Sequence, residues 1–280
     1  MSFQQQNITL VLGGTGKTGR RIAERLSARG VPTRIGTRSG EPAFDWEDPT
    51  AWAPVLQNVG SVYVSYYPDL AVPGAPTAIR SCAGLAVRNG VRRLVLLSGR
   101  GEEEAQRCEK LIQNCGAEWT IVRASWFCQN FSESFFLDPV LGGVLALPVG
   151  DVGEPFVDAD DIADVAVAAL TEDGHAGQYE VTGPRLLTCT QAIAEIARAT
   201  GRDIQYVQIS SEDFASQMEA HGAPADMIAL TTYLFNTVLD GRNSNLTDGI
   251  ERALGRPPRD FADYARDAAS TGVWKRQAAA

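Results

Sequence analysis

The chain's first strong pattern is a five-residue apolar and β-branched run, Ile8-Thr-Leu-Val-Leu12, that stops at Gly13-Gly14. A run this short, bounded by glycine, reads as a buried strand. Beyond it, Ile22, Ala23 and Leu26 recur at helical spacing within 20–29, and Gly30 closes that helix. Further strand patterns at 33–36, 61–65, 92–98 and 118–122 are separated by helical patterns at 49–57, 74–89 and 102–114. Short buried strands alternating with helices predict parallel βαβ units, a Rossmann-type doubly wound α/β sheet that takes ligands at the carboxyl ends of its strands.

After residue 130 the rhythm changes. Short strands at 144–147, 178–181 and 204–207 stand isolated among helical patterns at 159–171, 188–200, 211–221, 224–239 and 260–270. This predicts a nucleotide-binding domain over 1–130 and a smaller C-terminal α+β substrate lobe over 131–280, the two sharing one core. The Gly/Asn-rich stretch 240–249 reads as a mobile lid and 275–280 as a frayed tail.

Composition narrows the field. A chain of 280 residues with 44% hydrophobic and 21% charged positions matches a folded globular protein and excludes disorder and heptad rods. A net charge of -9, with no basic cluster longer than pairs such as Arg92–Arg93, disfavours nucleic acid. The greasiest passage, 135–149, is broken by Asp138, Pro139, Gly142, Gly143 and Pro148, and is shorter than the ~20 residues that span a bilayer, so no membrane segment is expected. The start lacks a basic n-region, which predicts no signal peptide. Five cysteines with no C-x-x-C pair suit reduced thiols in cytoplasm. Monomer and homodimer both stay open.

The residues Gly13-Gly14-Thr15-Gly16-Lys17-Thr18-Gly19 fit both G-x-G-x-x-G and G-x-x-G-x-x-G. Between a strand and a helix these are dinucleotide fingerprints: the turn is tight, the backbone must approach a pyrophosphate, and the helix must start close to the strand. Gly16-Lys17-Thr18 also resembles the tail of a Walker A loop, but that motif needs glycine where Val11 stands. A purely structural glycine turn is the bland alternative. The segment after 33–36 reads Thr37-Arg38-Ser39, with no acid until Glu41. An acid here would hold the ribose hydroxyl of NAD, whereas Arg38, assisted by Thr37 or Ser39, suits a 2′-phosphate; NADP(H) is therefore favoured, the alternative being a solvated turn arginine.

Other chemistries lose ground. No tyrosine has a lysine four residues on, so the Tyr-x-x-x-Lys dyad of ordinary short-chain dehydrogenases is absent. With His175 and His221 as the only histidines, no metal motif exists, and Ser98 lacks the glycine of a nucleophile elbow. The sequence therefore offers neither a catalytic acid nor a metal site. The strand ends lead into Ser65-Tyr66-Tyr67-Pro68, Ser98-Gly99, and the run Arg123–Phe131. Trp126 and Phe127 either wall an apolar substrate, with Asn130 as the polar partner, or belong to the core joining the two lobes. Asp158, Asp160 and Asp161 fit N-capping of the next helix better than acid/base work.

Taken together, the glycine run, Arg38, Phe44-Asp45-Trp46, the strand Leu94–Ser98, the run from Trp119 to Phe131, Phe156-Val-Asp158 and Phe261-Ala-Asp-Tyr264 resemble the NmrA-like, atypical short-chain dehydrogenases. That group includes NADPH:quinone reductases, ergot-alkaloid iminium reductases and NADP-sensing regulators. The resemblance spans most of the chain and implies that Thr15 to Thr18 and Arg38 hold phosphates, that Asp45 lies near the adenine, and that residues 65–68 and 98–99 line the nicotinamide half. Isoflavone-type relatives carry a lysine where this chain has Arg107, which cannot readily give up a proton. The expectation is an NADPH-dependent reductase of a flat, apolar acceptor (quinone, conjugated carbonyl or iminium). The alternatives are an NADP(H) redox sensor without turnover and a non-redox enzyme that retains the cofactor.

Overall fold

The computed structural model describes residues 8–275; the tail read at 275–280 lies, beyond Lys275, outside them. The elements run β1 (Ile8–Leu12), α1 (Lys17–Ala28), β2 (Thr33–Gly36), α2 (Trp52–Val55), β3 (Val59–Val64), α3 (Ala75–Arg88), β4 (Arg93–Gly99), α4 (Glu103–Gln113) and β5 (Glu118–Ala124). They continue through α5 (Leu137–Gly142), β6 (Val144–Leu147), α6 (Ala159–Thr171), β7 (Gly177–Val181), α7 (Cys189–Thr200), β8 (Gln205–Gln208), α8 (Ser211–Ala220), α9 (Ala225–Tyr233), α10 (Gly249–Leu254) and α11 (Phe261–Thr271).

Two units divide the chain. The first comprises Met1–Ala124, Ala159–Val181 and Asp248–Arg256, and holds a six-stranded sheet of order β2-β1-β3-β4-β5-β7. Every adjacent pair in it is parallel. Strand alternation sends Leu10, Leu12, Val62, Val64, Leu94 and Leu96 into one buried cluster with residues of α3 and α4. Val11, Tyr63 and Val95 alternate with them and are fully buried, on the opposite face. The helix 159–171 and the strand 178–181, which the sequence pattern assigns to the second lobe, belong to this unit, and β7 joins its sheet by pairing with β5 from Thr120↔Gly177 to Ala124↔Val181.

Ion pairs secure α6 and the α10 region to this unit. Arg25 donates to Asp160 and Asp164, each at 2.6 Å, and Arg256 donates to Asp161 at 2.7 Å and Asp164 at 2.5 Å. Asp160 and Asp161 thus act as arginine partners rather than simple helix caps. Gly249 lies against β7 so closely that a Cβ would fall 2.1 Å from the Glu180 carbonyl oxygen.

The second unit comprises Ser125–Asp158, Thr182–Thr247 and Pro257–Ala280. Here β6 and β8, isolated in the sequence pattern, pair in parallel from Val144↔Gln205 to Leu147↔Gln208. The unit has its own buried cluster, with Phe131, Phe156, Phe261 and Trp274 at its centre, where the sequence suggests one shared core. The stretch 240–249 is tied down rather than hanging loose: Ser244 donates to the Gly153 carbonyl at 2.5 Å, and the Thr247 N–H donates to Thr182 at 3.1 Å. Among the described residues no helix is long and apolar enough to cross a membrane.

Candidate functional site

The strand order reverses at β1. From β1 the chain passes to β2 on one side and from β2 to β3 on the other, so the tips of β1 and β3 flank the crevice where an open parallel sheet takes its ligand. Gly13 sits there with φ +67°, a conformation that costs an L side chain and suits glycine. Its N–H donates to the Gly36 carbonyl at 3.1 Å, and a Cβ on it would meet Ser65 Cβ at 3.3 Å. The ends of β1, β2 and β3 therefore converge on one residue.

The remaining glycines shape the approach to α1. A Cβ on Gly14 would fall 2.7 Å from Ile35 Cγ2, and one on Gly19 only 2.2 Å from the Gly13 carbonyl oxygen. Gly16 is the N-cap of α1 and supplies no side-chain cap, so this end of the helix lacks the side-chain acceptor that Ser, Thr, Asp or Asn would give it. The first turn carries no acid and begins with Lys17, the reverse of what the helix dipole favours unless an anion sits nearby. Thr15 and Gly16 are exposed, but Thr18 is buried, accepting a 2.8 Å hydrogen bond from the Tyr63 hydroxyl. Thr18 supports the turn from behind, and its side chain is directed into the fold.

Past β2, residues 37–40 form a turn closed by the Gly40 and Phe44 N–H groups, which both donate to the Thr37 carbonyl. Thr37 and Ser39 bring their hydroxyl oxygens within 3.5 Å of each other. Between them Arg38 is exposed and pairs with no acid among the described residues. Asp45 turns its carboxylate onto the Glu47 N–H at 3.1 Å. Trp46 donates its indole N–H to the Ser65 carbonyl at 3.1 Å and lies against Phe44 and Tyr66, which fastens this loop to the tip of β3. Tyr66 is half-buried and Tyr67 is 68% exposed.

Ser98 departs from its expected role. It is buried, and its hydroxyl donates to Glu109 at 2.6 Å, so only its backbone stands at the tip of β4. Glu109 also accepts from Arg123, with the Nε contact at 2.9 Å. Gly99 lies against Glu102: a Cβ there would fall 1.9 Å from a Glu102 carboxylate oxygen. Sequence reasoning missed Glu102 and Glu109. The signal was present in α4, where Glu109 shares the buried stripe of Ala105, Cys108 and Ile112, an unusual place for an acid. Arg107, by contrast, is exposed and pairs with Glu103 and Glu104.

In the second unit Trp126 is half-buried and nearly parallel to Phe136 and Phe235, with ring centroids 6.5 and 5.5 Å away. Its backbone N–H donates to the buried Glu154 at 3.2 Å. Phe127 bridges to Val157 in parallel fashion, and Asn130 is half-buried. Phe235 comes from an i→i+5 turn, Leu234–Val238, a distortion often found beside functional sites. Among the described residues no group of three His, Cys, Asp or Glu side chains is placed to hold a metal ion.

A glycine turn at the switch point of a parallel sheet defines a dinucleotide-binding α/β protein. No protein-family model matches the chain. It is, however, 32% identical to the uncharacterised oxidoreductase YesF of Bacillus subtilis, with 97% of this chain and 98% of that protein covered. It is also 32% identical to agroclavine dehydrogenase of Claviceps fusiformis over 95% and 98%. Among solved structures, the NADPH-dependent quinone oxidoreductase QOR2 of Escherichia coli, complexed with NADPH, matches with a TM-score of 0.77 and 21% identity, covering 92% of this chain and 99% of that one. The chain belongs to the NmrA-like, atypical short-chain dehydrogenase family and is an oxidoreductase.

Proposed function

We propose that this protein is an NADPH-dependent reductase that passes a hydride to a flat, mainly apolar acceptor of the quinone, conjugated carbonyl or iminium class. The observation that carries the cofactor choice is Arg38, exposed and without an acid partner among the described residues at the tip of β2, where an NAD enzyme would place a carboxylate. The Gly13–Gly19 turn suits a pyrophosphate, because its glycines let β1, the turn and the start of α1 pack more closely than any Cβ would allow and leave the helix's amino end at the turn. NADPH, when bound, supplies the hydride. The chain contributes binding through 13–19, 37–39 and 45, a wall through 65–67 and 98–99, and an aromatic surface through Trp126 and Phe127 with Asn130 as its polar group. An iminium acceptor is neutralised by the hydride itself, and a carbonyl or quinone takes its proton from solvent. Orientation and exclusion of water are the protein's main work.

The test is a titration with NADPH and NADH, followed by NADPH absorbance on addition of naphthoquinones and a cyclic iminium compound. Selective NADPH binding with acceptor-dependent oxidation is expected. Tight binding without oxidation of any acceptor would favour a redox sensor instead. In the same assay Trp126→Ala is expected to raise KM for an aromatic acceptor about three- to tenfold, the worth of one ring stack, with kcat less affected. An unchanged KM would remove Trp126 from the substrate surface.

A further inference from the structure

A charge network surrounds the tip of β4, and it begins and ends on the two neighbours of one glycine. Ser98 and Arg123 are partners in register across β4 and β5, and Arg123 and Glu180 across β5 and β7. The Ser98 hydroxyl donates to Glu109 at 2.6 Å, and Glu109 also accepts from Arg123 Nε, at 2.9 Å, and from one of its terminal nitrogens. Arg123 continues to the Gln178 side-chain oxygen at 3.3 Å and to Glu180 at 3.6 Å. Glu180 in turn accepts from Arg100 Nε at 2.7 Å, and the Arg100 N–H donates to the Ala124 carbonyl at 3.1 Å. The path leaves β4 at Ser98, crosses α4, β5 and β7, and returns at Arg100, with Gly99 alone between its ends.

Two acids face two arginines along this path, and Ser98, Arg100 and Glu109 are buried. Buried ion pairs are a weak source of stability, because desolvation offsets much of their attraction, but their directional hydrogen bonds fix geometry. The network lies at the carboxyl ends of three parallel strands, the side on which such a sheet takes its ligand. Gly99 is also backed by Glu102, whose carboxylate fills the place a Cβ would take. The opposite ends of the same strands are tied differently: Arg93, at the start of β4, pairs with the exposed Glu118 and Asp173.

We propose that this network sets the position of the Gly99 backbone against the nicotinamide half of the cofactor, making Glu109 a positioning residue for hydride transfer. The role rests on the proposed reductase function, in which 98–99 wall the nicotinamide. Ser98 and Arg123 both converge on Glu109, so its carboxylate is the joint that couples β5 to the tip of β4. A nicotinamide held slightly out of line loses rate before it loses affinity, since in the same reading the phosphates are bound at the glycine turn and Arg38.

The test compares wild type, Glu109→Gln, Ser98→Ala and Glu118→Gln by NADPH affinity, by the anisotropy of nicotinamide emission at saturating NADPH, and by turnover with a quinone. Glu109→Gln should keep NADPH affinity within about threefold, lower the anisotropy of the bound nicotinamide, and reduce kcat about 30- to 100-fold. Ser98→Ala removes a single hydrogen bond and should move both readouts in the same direction, with kcat down about three- to tenfold; it carries the test if Glu109→Gln does not fold. Because the two act through one contact, the double variant should fall little below Glu109→Gln alone. Glu118→Gln, which loosens the pair at the other end of the strands, should leave anisotropy and kcat at the wild-type level. A Glu109→Gln protein that melts lower yet keeps wild-type anisotropy and kcat overturns the positioning role, as does a loss of NADPH affinity as large as the loss of kcat. If wild type binds NADPH but reduces no acceptor, the reductase reading fails and anisotropy alone decides whether the network holds the nicotinamide. Failure of every form to bind NADPH overturns both.

Discussion

Replacing Arg38 with glutamate is expected to weaken NADPH binding about 30- to 100-fold while leaving NADH within about threefold. Two hydrogen bonds from a guanidinium fork to a 2′-phosphate are worth roughly 1.5–3 kcal/mol each in favourable settings. Arg38 is exposed, so solvent and salt reduce the two contacts together to about 2–3 kcal/mol, which is the expected 30- to 100-fold. Charge reversal adds repulsion that NADH, lacking the phosphate, does not experience. Arg38→Lys should retain the charge but lose the planar two-point contact, costing about tenfold. The measurement is a fluorescence titration of each variant with both nucleotides at fixed ionic strength. Equal losses for NADPH and NADH would show that Arg38 supports the fold of the 37–44 turn rather than selecting the cofactor.

Gly19→Ala should injure both stability and cofactor binding. The new methyl carbon would lie 2.2 Å from the Gly13 carbonyl oxygen, 2.7 Å from the Gly13 carbonyl carbon and 2.8 Å from Gly14 Cα. All three are backbone atoms, so no side chain can swing aside, and α1 must move away from the turn. Overpacking of this kind costs about 1–3 kcal/mol, expected here at the upper end and read as a drop of about 4–10 °C in the thermal midpoint. Displacing the helix N-terminus from the phosphate cradle should weaken NADPH by about 100-fold, given that several backbone N–H contacts depend on that distance. Gly16→Ala is the contrast: its Cβ would approach the Gly13 oxygen only to 3.2 Å, and its effect should be several-fold smaller. A Gly19→Ala protein with normal melting and normal affinity would contradict the close-packed turn.

Much of the fold was legible because it is written in local periods. Runs of alternating or continuous apolar residues placed β1, β2 and the helices of the first 124 residues within a few positions, and α6 at its observed limits. The role of Ser98 was also legible and was missed: it shares a strand face with Leu94 and Leu96, the face buried against α3 and α4, so its hydroxyl had to point inward. Thr18 escaped for a different reason. Its partner Tyr63 lies 45 residues away, and nothing in the glycine motif reveals which side of α1 meets the sheet.

The sequence by itself determined the glycine turn, the absence of an acid beside Arg38 and the alternation of strands and helices. Each depends on residues within one element or one turn, where backbone freedom and spacing decide the outcome. Only the tertiary structure decided that 159–181 and 248–256 return to the first unit, that β6 and β8 pair with each other, and that Ser98 meets Glu109. Periodicity tells which face of an element is buried but not what buries it. Such contacts are set by chain crossovers dozens of residues long, and their energies come from burial and charge pairing that no single segment contains.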